Sequence, residues 1–276
     1  MNLSHIKLIA TDMDGTLLNK NHEVSKLFFK LFEQLKKHNV LFVAASGRPL
    51  YGIVEKLNSI KNDIFIVAEN GGLIMQGDKL ILSTPFKKND LFDIESLIKL
   101  NRDIFPVYCT KTKAYSYRIS ESSSPVESLT EYYPNIEFIE HLSDIKEEII
   151  KIALYNAEDS EKYIYPYFKH LETEYKVIVS GKQWLDISNN SANKGNAIQL
   201  LQKKFNISPD ETLVFGDYNN DIDMLKQATY SFAMENAHPD VIEIANFKTK
   251  SNNNLGVELI LEKLVAAKLR TKSSNN

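Results

Sequence analysis

Two carboxylates separated by one residue, Asp12 and Asp14, lie in Asp12-Met13-Asp14-Gly15-Thr16-Leu17-Leu18, directly after the apolar run Ile6-Lys7-Leu8-Ile9-Ala10. Acidic groups at the end of a buried strand, followed by a turn glycine, suit metal-assisted attack on phosphorus. A second acidic segment, Gly216-Asp217-Tyr218-Asn219-Asn220-Asp221, follows the apolar run 212–215. Neither segment fits a calcium loop, which needs glycine at position six and a bidentate glutamate at position twelve. Counted from Asp12, position six is Leu17; counted from Asp217, positions six and twelve are Ile222 and Ala228. The remaining alternative for each segment is that its carboxylates cap a helix or form a turn.

Such groups act only if the chain brings them together. In the first third, apolar runs at 6–11, 40–45 and 64–68 alternate with helical patterns at 25–38 and 49–57. Continuous apolar strands alternating with helices predict a parallel sheet covered on both faces, with ligands bound at the carboxyl ends of the strands. The aspartates, Ser46-Gly47-Arg48 and the turn Glu69-Asn70-Gly71-Gly72 all fall at such ends.

From about residue 85 the strands become short and alternate with polar residues, the pattern of an antiparallel sheet with one wet face. Helices are expected at 90–101 and twice more, and strands at 107–111, 115–119, 149–155, 175–179 and 184–187. After 188–191 the first pattern returns, with a helix at 195–204 and a strand at 212–215. The expected organisation is a discontinuous parallel domain, 1–84 and 190–276, interrupted by an α+β insert, 85–189. The polar tail 268–276 is expected to fray.

Composition limits the partners. With 276 residues, two domains are favoured at about 150 residues each. The formal net charge of −3, with Lys and Arg spread along the chain, offers no footprint for nucleic acid or an anionic membrane. The single cysteine, Cys109, excludes an internal disulfide and reads as a small buried hydrophobe. No apolar run reaches the ~18 residues of a membrane span, and no signal peptide is recognisable, so a cytoplasmic protein is expected.

Taken in order, Asp12-Met13-Asp14-Gly15-Thr16, Ser46-Gly47-Arg48, Lys194-Gly195 and Gly216 to Asp221 resemble the four motifs of the haloacid dehalogenase-like hydrolase superfamily. With an insert between the second and third, the chain resembles the Cof-type phosphatases of subfamily IIB over nearly its whole length. The resemblance implies an α/β protein: a Rossmann-like parallel-sheet core with an inserted α+β cap that selects the substrate. It implies a magnesium-dependent phosphoric monoester hydrolase that acts on small phosphorylated metabolites, sugar phosphates foremost, through an aspartyl-phosphate.

Within that resemblance Asp12 is the nucleophile and Asp14 the acid/base, while Asp12, the Asp14 backbone carbonyl and Asp217 hold Mg2+. Ser46, Gly47 and Lys194 bind the phosphoryl group, and Asn220 and Asp221 orient Lys194 or a metal-bound water. Arg48 contacts phosphate, closes the site or pairs with a carboxylate; Asn70 shapes its turn and reaches toward substrate. Two other functions fit the same residues: a phosphosugar mutase of the phosphomannomutase type, and a phospho-ligand binding protein without turnover.

In the insert, Tyr108, Tyr115 and Tyr117 with Lys111, Lys113 and Arg118 form either a sugar-binding face or an ordinary two-sided strand pattern. Trp184 and Asp186 either reach substrate or pack. The six histidines lack ligand spacing and receive no role.

Overall fold

A computed structural model describes residues 2–118 and 124–273. The chain begins with β1 (Leu8–Asp12), α1 (Lys26–Lys36), β2 (Leu41–Ala45), α2 (Leu50–Leu57) and β3 (Phe65–Ala68). Every residue of β1 and β3 is buried, as expected of strands covered on both faces. Helix α1 forms because Phe28, Leu31, Phe32 and Leu35 make one apolar stripe, while the Ser25 side chain accepts a hydrogen bond from Phe28 N at 3.0 Å and caps the first turn. Two further strands, β4 (Leu73–Gln76) and β5 (Lys79–Ser83), extend the sheet, β4 running antiparallel to β3.

A second unit follows: α3 (Lys88–Lys99), β6 (Phe105–Cys109), β7 (Ala114–Tyr117), α4 (Ser124–Tyr132), β8 (Ile136–Ile139), β9 (Lys151–Tyr155), α5 (Ser160–Tyr163), α6 (Tyr165–Phe168), β10 (Tyr175–Gly181) and β11 (Trp184–Asn189). Its strands form a six-stranded sheet in the order β10-β11-β9-β6-β7-β8. The pairs are antiparallel as the polar alternation predicts, except β7 with β8, which run parallel. Helix α4 makes that exception possible, because it carries the chain back before β8 begins. Ile119, expected in the second strand, lies outside the described residues.

The chain returns through α7 (Lys194–Phe205), β12 (Thr212–Gly216), α8 (Ile222–Leu225), β13 (Tyr230–Ala233), α9 (Pro239–Ile244), β14 (Phe247–Lys248) and α10 (Gly256–Ser273). The first sheet has the order β14-β13-β12-β1-β2-β3-β4-β5, with β1 parallel to both β2 and β12. The chain thus divides into one unit of Met1–Arg48, Gly52–Ile81 and Asn193–Asn276, and another of Leu82–Ala192 with Pro49–Tyr51. The expected insert 85–189 lies inside the second.

The tail does not fray from Lys268: the backbone stays helical through Ser273, leaving only 274–276 outside the described residues. Val257, Ile260, Leu261, Leu264 and Val265 bury one side of α10, and that anchorage carries the helix into its polar end. Among the described residues, no helix is long and apolar enough to cross a membrane.

Candidate active site

Parallel pairing of β1 with β2 and β12 sets three strand ends side by side: Asp12 is the last residue of β1, and Ser46 and Asp217 directly follow β2 and β12. Lys194 is the first residue of α7, where Asn193 caps the helix by accepting from Asn196 N at 2.6 Å. Its side chain is fully buried, and Nζ donates to Asp12 Oδ1 at 2.5 Å and to Asp221 Oδ1 at 2.6 Å. The other Asp221 oxygen accepts from Asp217 N at 2.9 Å and Tyr218 N at 3.2 Å. Asp221 therefore fixes Lys194 on one side and shapes the loop of Asp217 on the other.

Asp12, Asp217 and Asp221 each offer a carboxylate oxygen within 4.8 Å of the others. Three carboxylates face one ammonium group, so the cluster carries an excess of negative charge. Burial pushes the Asp12 carboxyl well above the ordinary range, against the pull of Lys194. Burial likewise lifts Asp217 to about 6, aided by Asp221 and opposed by the bond that its Oδ1 accepts from the Thr16 hydroxyl at 2.8 Å. Burial opposes the charge on Lys194, but the two adjacent carboxylates prevail and hold it above its ordinary range. An all-oxygen, net anionic cluster fits a hard divalent cation. The Asp14 side chain lies outside it, so only the Asp14 backbone is left to serve as a ligand.

Gly15 is required where it stands. Its φ of +81° disfavours any side chain, and a Cβ there would lie 2.2 Å from Asp217 Oδ2. The turn thus lets the Asp217 carboxylate close over the backbone of the Asp12 loop. Asn236 Nδ2 ties the same turn by donating to Gly15 O at 2.8 Å.

Asp14 is held by Arg48 in a bidentate pair, Nε to Oδ2 and Nη2 to Oδ1, both 2.6 Å. Burial would raise this carboxyl, but the guanidinium, together with His22, outweighs burial and keeps it below the ordinary carboxylate range. His22 Nδ1 lies 3.4 Å from Asp14 Oδ1 and 3.5 Å from Arg48 Nη2. Sequence reading gave the histidines no role. The only signal was the short stretch between Asp14 and His22, because the loop bend that returns the ring has no spacing signature.

Ser46 is buried; its N–H donates to Val67 O at 2.8 Å, and its hydroxyl accepts from Arg48 N at 3.1 Å. Asn70 Oδ1 accepts from Asn220 Nδ2 at 2.9 Å, and the Asn70 amide packs against the Gly47 Cα. All ten sequence-predicted site residues, Asp12, Asp14, Ser46, Gly47, Arg48, Asn70, Lys194, Asp217, Asn220 and Asp221, fall in the first unit.

In the second unit the tyrosines belong to packing. Tyr108 and Tyr115 are buried in its core with Tyr117 against them, and the Tyr108 and Tyr117 hydroxyls both donate to the buried Glu95 carboxylate. Lys113 pairs with Glu137 and Arg118 with Glu140. Trp184 packs among Tyr132, Tyr133 and Tyr155, Asp186 lies 3.7 Å from Lys151, and Cys109 is buried.

Comparison with known proteins identifies the family. The family model of haloacid dehalogenase-like hydrolases matches residues 9–261. The 5-amino-6-(5-phospho-D-ribitylamino)uracil phosphatase YbjI of Escherichia coli (strain K12) is 30% identical, over 94% of this chain and 96% of its own. The crystal structure of SMU.1108c from Streptococcus mutans UA159 superposes with a TM-score of 0.83 at 29% identity, covering 95% of this chain and 99% of that one. The subclass IIB sugar phosphatase BT4131 shares the fold, with a TM-score of 0.76 at 19% identity over 93% of this chain and 98% of its own. A carboxylate cluster gathered by one buried lysine, on a sheet of this order and within a match of this length, places the chain among the haloacid dehalogenase-like hydrolases.

Proposed function

We propose that this hydrolase is a phosphatase that cleaves monoesters of small phosphorylated metabolites, sugar or polyol phosphates, through a phosphorylated Asp12. The observation that carries the reading is the buried Lys194, bonded to Asp12 and Asp221 beside Asp217. The relatives support the substrate class: YbjI of Escherichia coli (strain K12) and YwtE of Bacillus subtilis (strain 168) are both named as phosphatases of a phosphoribityl compound, which is a polyol phosphate.

In the first displacement an Asp12 carboxylate oxygen attacks phosphorus, and the bond from phosphorus to the ester oxygen breaks. Asp14 gives its proton to the departing alkoxide. In the second, Asp14 takes a proton from water as the water oxygen attacks phosphorus; the bond to Asp12 breaks and inorganic phosphate leaves. Lys194 places a fixed positive charge against the phosphoryl oxygens, and Ser46 with the neighbouring backbone N–H groups donates hydrogen bonds to them. Asp12, Asp217 and the Asp14 backbone would hold Mg2+, which offsets the repulsion between a carboxylate and a phosphate dianion. Asp14 must leave Arg48 to carry its proton, because that pairing favours the ionised form.

The test is release of inorganic phosphate from a panel of sugar, polyol and nucleotide phosphates, with and without Mg2+, for the wild type and Asp12→Asn. Release by the wild type that is lost in the variant and on chelation is expected. Undiminished release by Asp12→Asn, or an isomeric phosphate ester formed without free phosphate, would overturn the reading.

A further inference from the structure

Three consecutive residues after β3 have positive φ: Glu69 at 51°, Asn70 at 54° and Gly71 at 102°. Side-chain-bearing residues adopt this conformation uncommonly, and a run of three positive-φ residues needs support from the surrounding structure. Four sets of contacts supply it here. Glu69 N donates to Arg48 O at 3.0 Å and Asn70 N to Ser46 O at 2.9 Å, which pins the turn to the Ser46 loop. The Asn70 amide lies against Gly47, where a Cβ would be 3.1 Å from Nδ2. Asn70 Oδ1 accepts from Asn220 Nδ2 at 2.9 Å, one residue before the carboxylate that holds Lys194. Gly71 sits so close to the α7 cap that a Cβ on it would lie 2.3 Å from Asn193 O.

We infer that Asn70 is a positioning residue: through this strained turn it sets the spacing between the Ser46 loop, Lys194 and the Asn220-Asp221 segment. The inference rests on the function proposed above, since the phosphoryl group is what those three elements converge on. Asn70 reaches Lys194 by two routes, through Asn220 and Asp221 on one side and through Gly71 and Asn193 on the other. Ser46 is reached directly, through its carbonyl. Asparagine suits the position because it tolerates the left-handed region and supplies the side-chain acceptor at once.

The test uses Asn70→Gly, which relieves the backbone strain and removes only the side chain, with Asn70→Asp, Asn220→Ala and the double variant Asn70→Gly/Asn220→Ala. Thermal unfolding of Asn70→Gly should match or exceed the wild type, while kcat falls by about tenfold or more with a smaller change in KM. Asn70→Asp, which retains the acceptor, should recover part of kcat. The double variant should be little worse than the poorer single variant, because both remove the same link. Affinity for inorganic phosphate, measured by calorimetry, should weaken in Asn70→Gly in parallel. Wild-type kcat and wild-type phosphate affinity in Asn70→Gly, or independent effects in the double variant, would overturn the inference. A wild type that binds phosphate yet turns over no ester would overturn the proposed function, and the phosphate titrations would still decide the role of Asn70.

Discussion

Lys194 Nζ lies 2.5 Å from Asp12 Oδ1, joining residues 182 positions apart, with the lysine side chain fully buried and the aspartate side chain only 7% exposed. Asp221 accepts from the same ammonium group, so the lysine is the counter-charge for two buried carboxylates. Lys194→Met keeps the volume and removes that charge. It is expected to abolish turnover and to lower unfolding stability in denaturant titrations by about 3 kcal/mol, because the buried carboxylates lose their partner. Unchanged stability would mean that the pair is not buried together in solution.

Gly15→Ala should act on Asp217 at a distance in sequence. The new methyl group would meet Asp217 Oδ2 at 2.2 Å, in a backbone conformation already adverse to a side chain at φ +81°. A stability loss of about 1–2 kcal/mol is expected from the backbone alone. Divalent-cation affinity should weaken as well, which a calorimetric Mg2+ titration would register. A variant with wild-type affinity would show that Asp217 does not depend on this close approach.

The titration of Asp217 makes metal binding depend on pH. Its carboxyl is lifted to about 6, first by burial, so the metal-free fold holds a proton more tightly than the unfolded chain does. Metal-free stability therefore declines as pH rises from the ordinary carboxylate range through about 6, the reverse of a salt-bridged carboxylate. A cation that binds the ionised cluster must displace that proton. Mg2+ should thus raise the melting temperature more at about pH 7.5 than at about pH 5. Equal shifts at both values would remove Asp217 from the metal site.

Arg48→Ala should free Asp14. Burial then remains as the main influence, and the carboxyl should titrate at higher pH than in the wild type, as followed by carboxyl carbon NMR. The ion pair contributes stability above the ordinary carboxylate range that is lost as pH falls through the depressed folded value, so the variant should be less sensitive to acid. An unmoved Asp14 titration would mean that the guanidinium does not hold it in solution.

The parallel first sheet was legible in the sequence because its strands are buried on both faces and read as unbroken apolar runs, as in Phe65–Ala68. Strand β4 and the edge strand β5 were not foreseen: each is only four or five residues long, and Lys79–Ser83 is exposed or half exposed, unlike the fully buried β1 and β3. The parallel pairing of β7 with β8 departs from the expected antiparallel sheet. Alternation marks one wet face, most common in antiparallel sheets, while the direction of a given neighbour is set by its connection, here α4. In the second unit alternation left a sugar-binding face open, and burial assigned Tyr108 and Tyr115 to the core.

The sequence by itself determined which residues carry charge at strand and helix ends, and their resemblance to one family named Asp12, Lys194 and Asp217 together. Tertiary structure decided which of the pairings left open is made, and added those that the sequence did not suggest. Asp14 faces Arg48 and His22 instead of the carboxylate cluster, Asp221 serves Lys194, and Asn70 spans from the Ser46 loop to Asn220. The reason is physical: strand order and helix register bring distant loops within hydrogen-bond range, and side-chain bonds between those loops leave no periodicity in the chain.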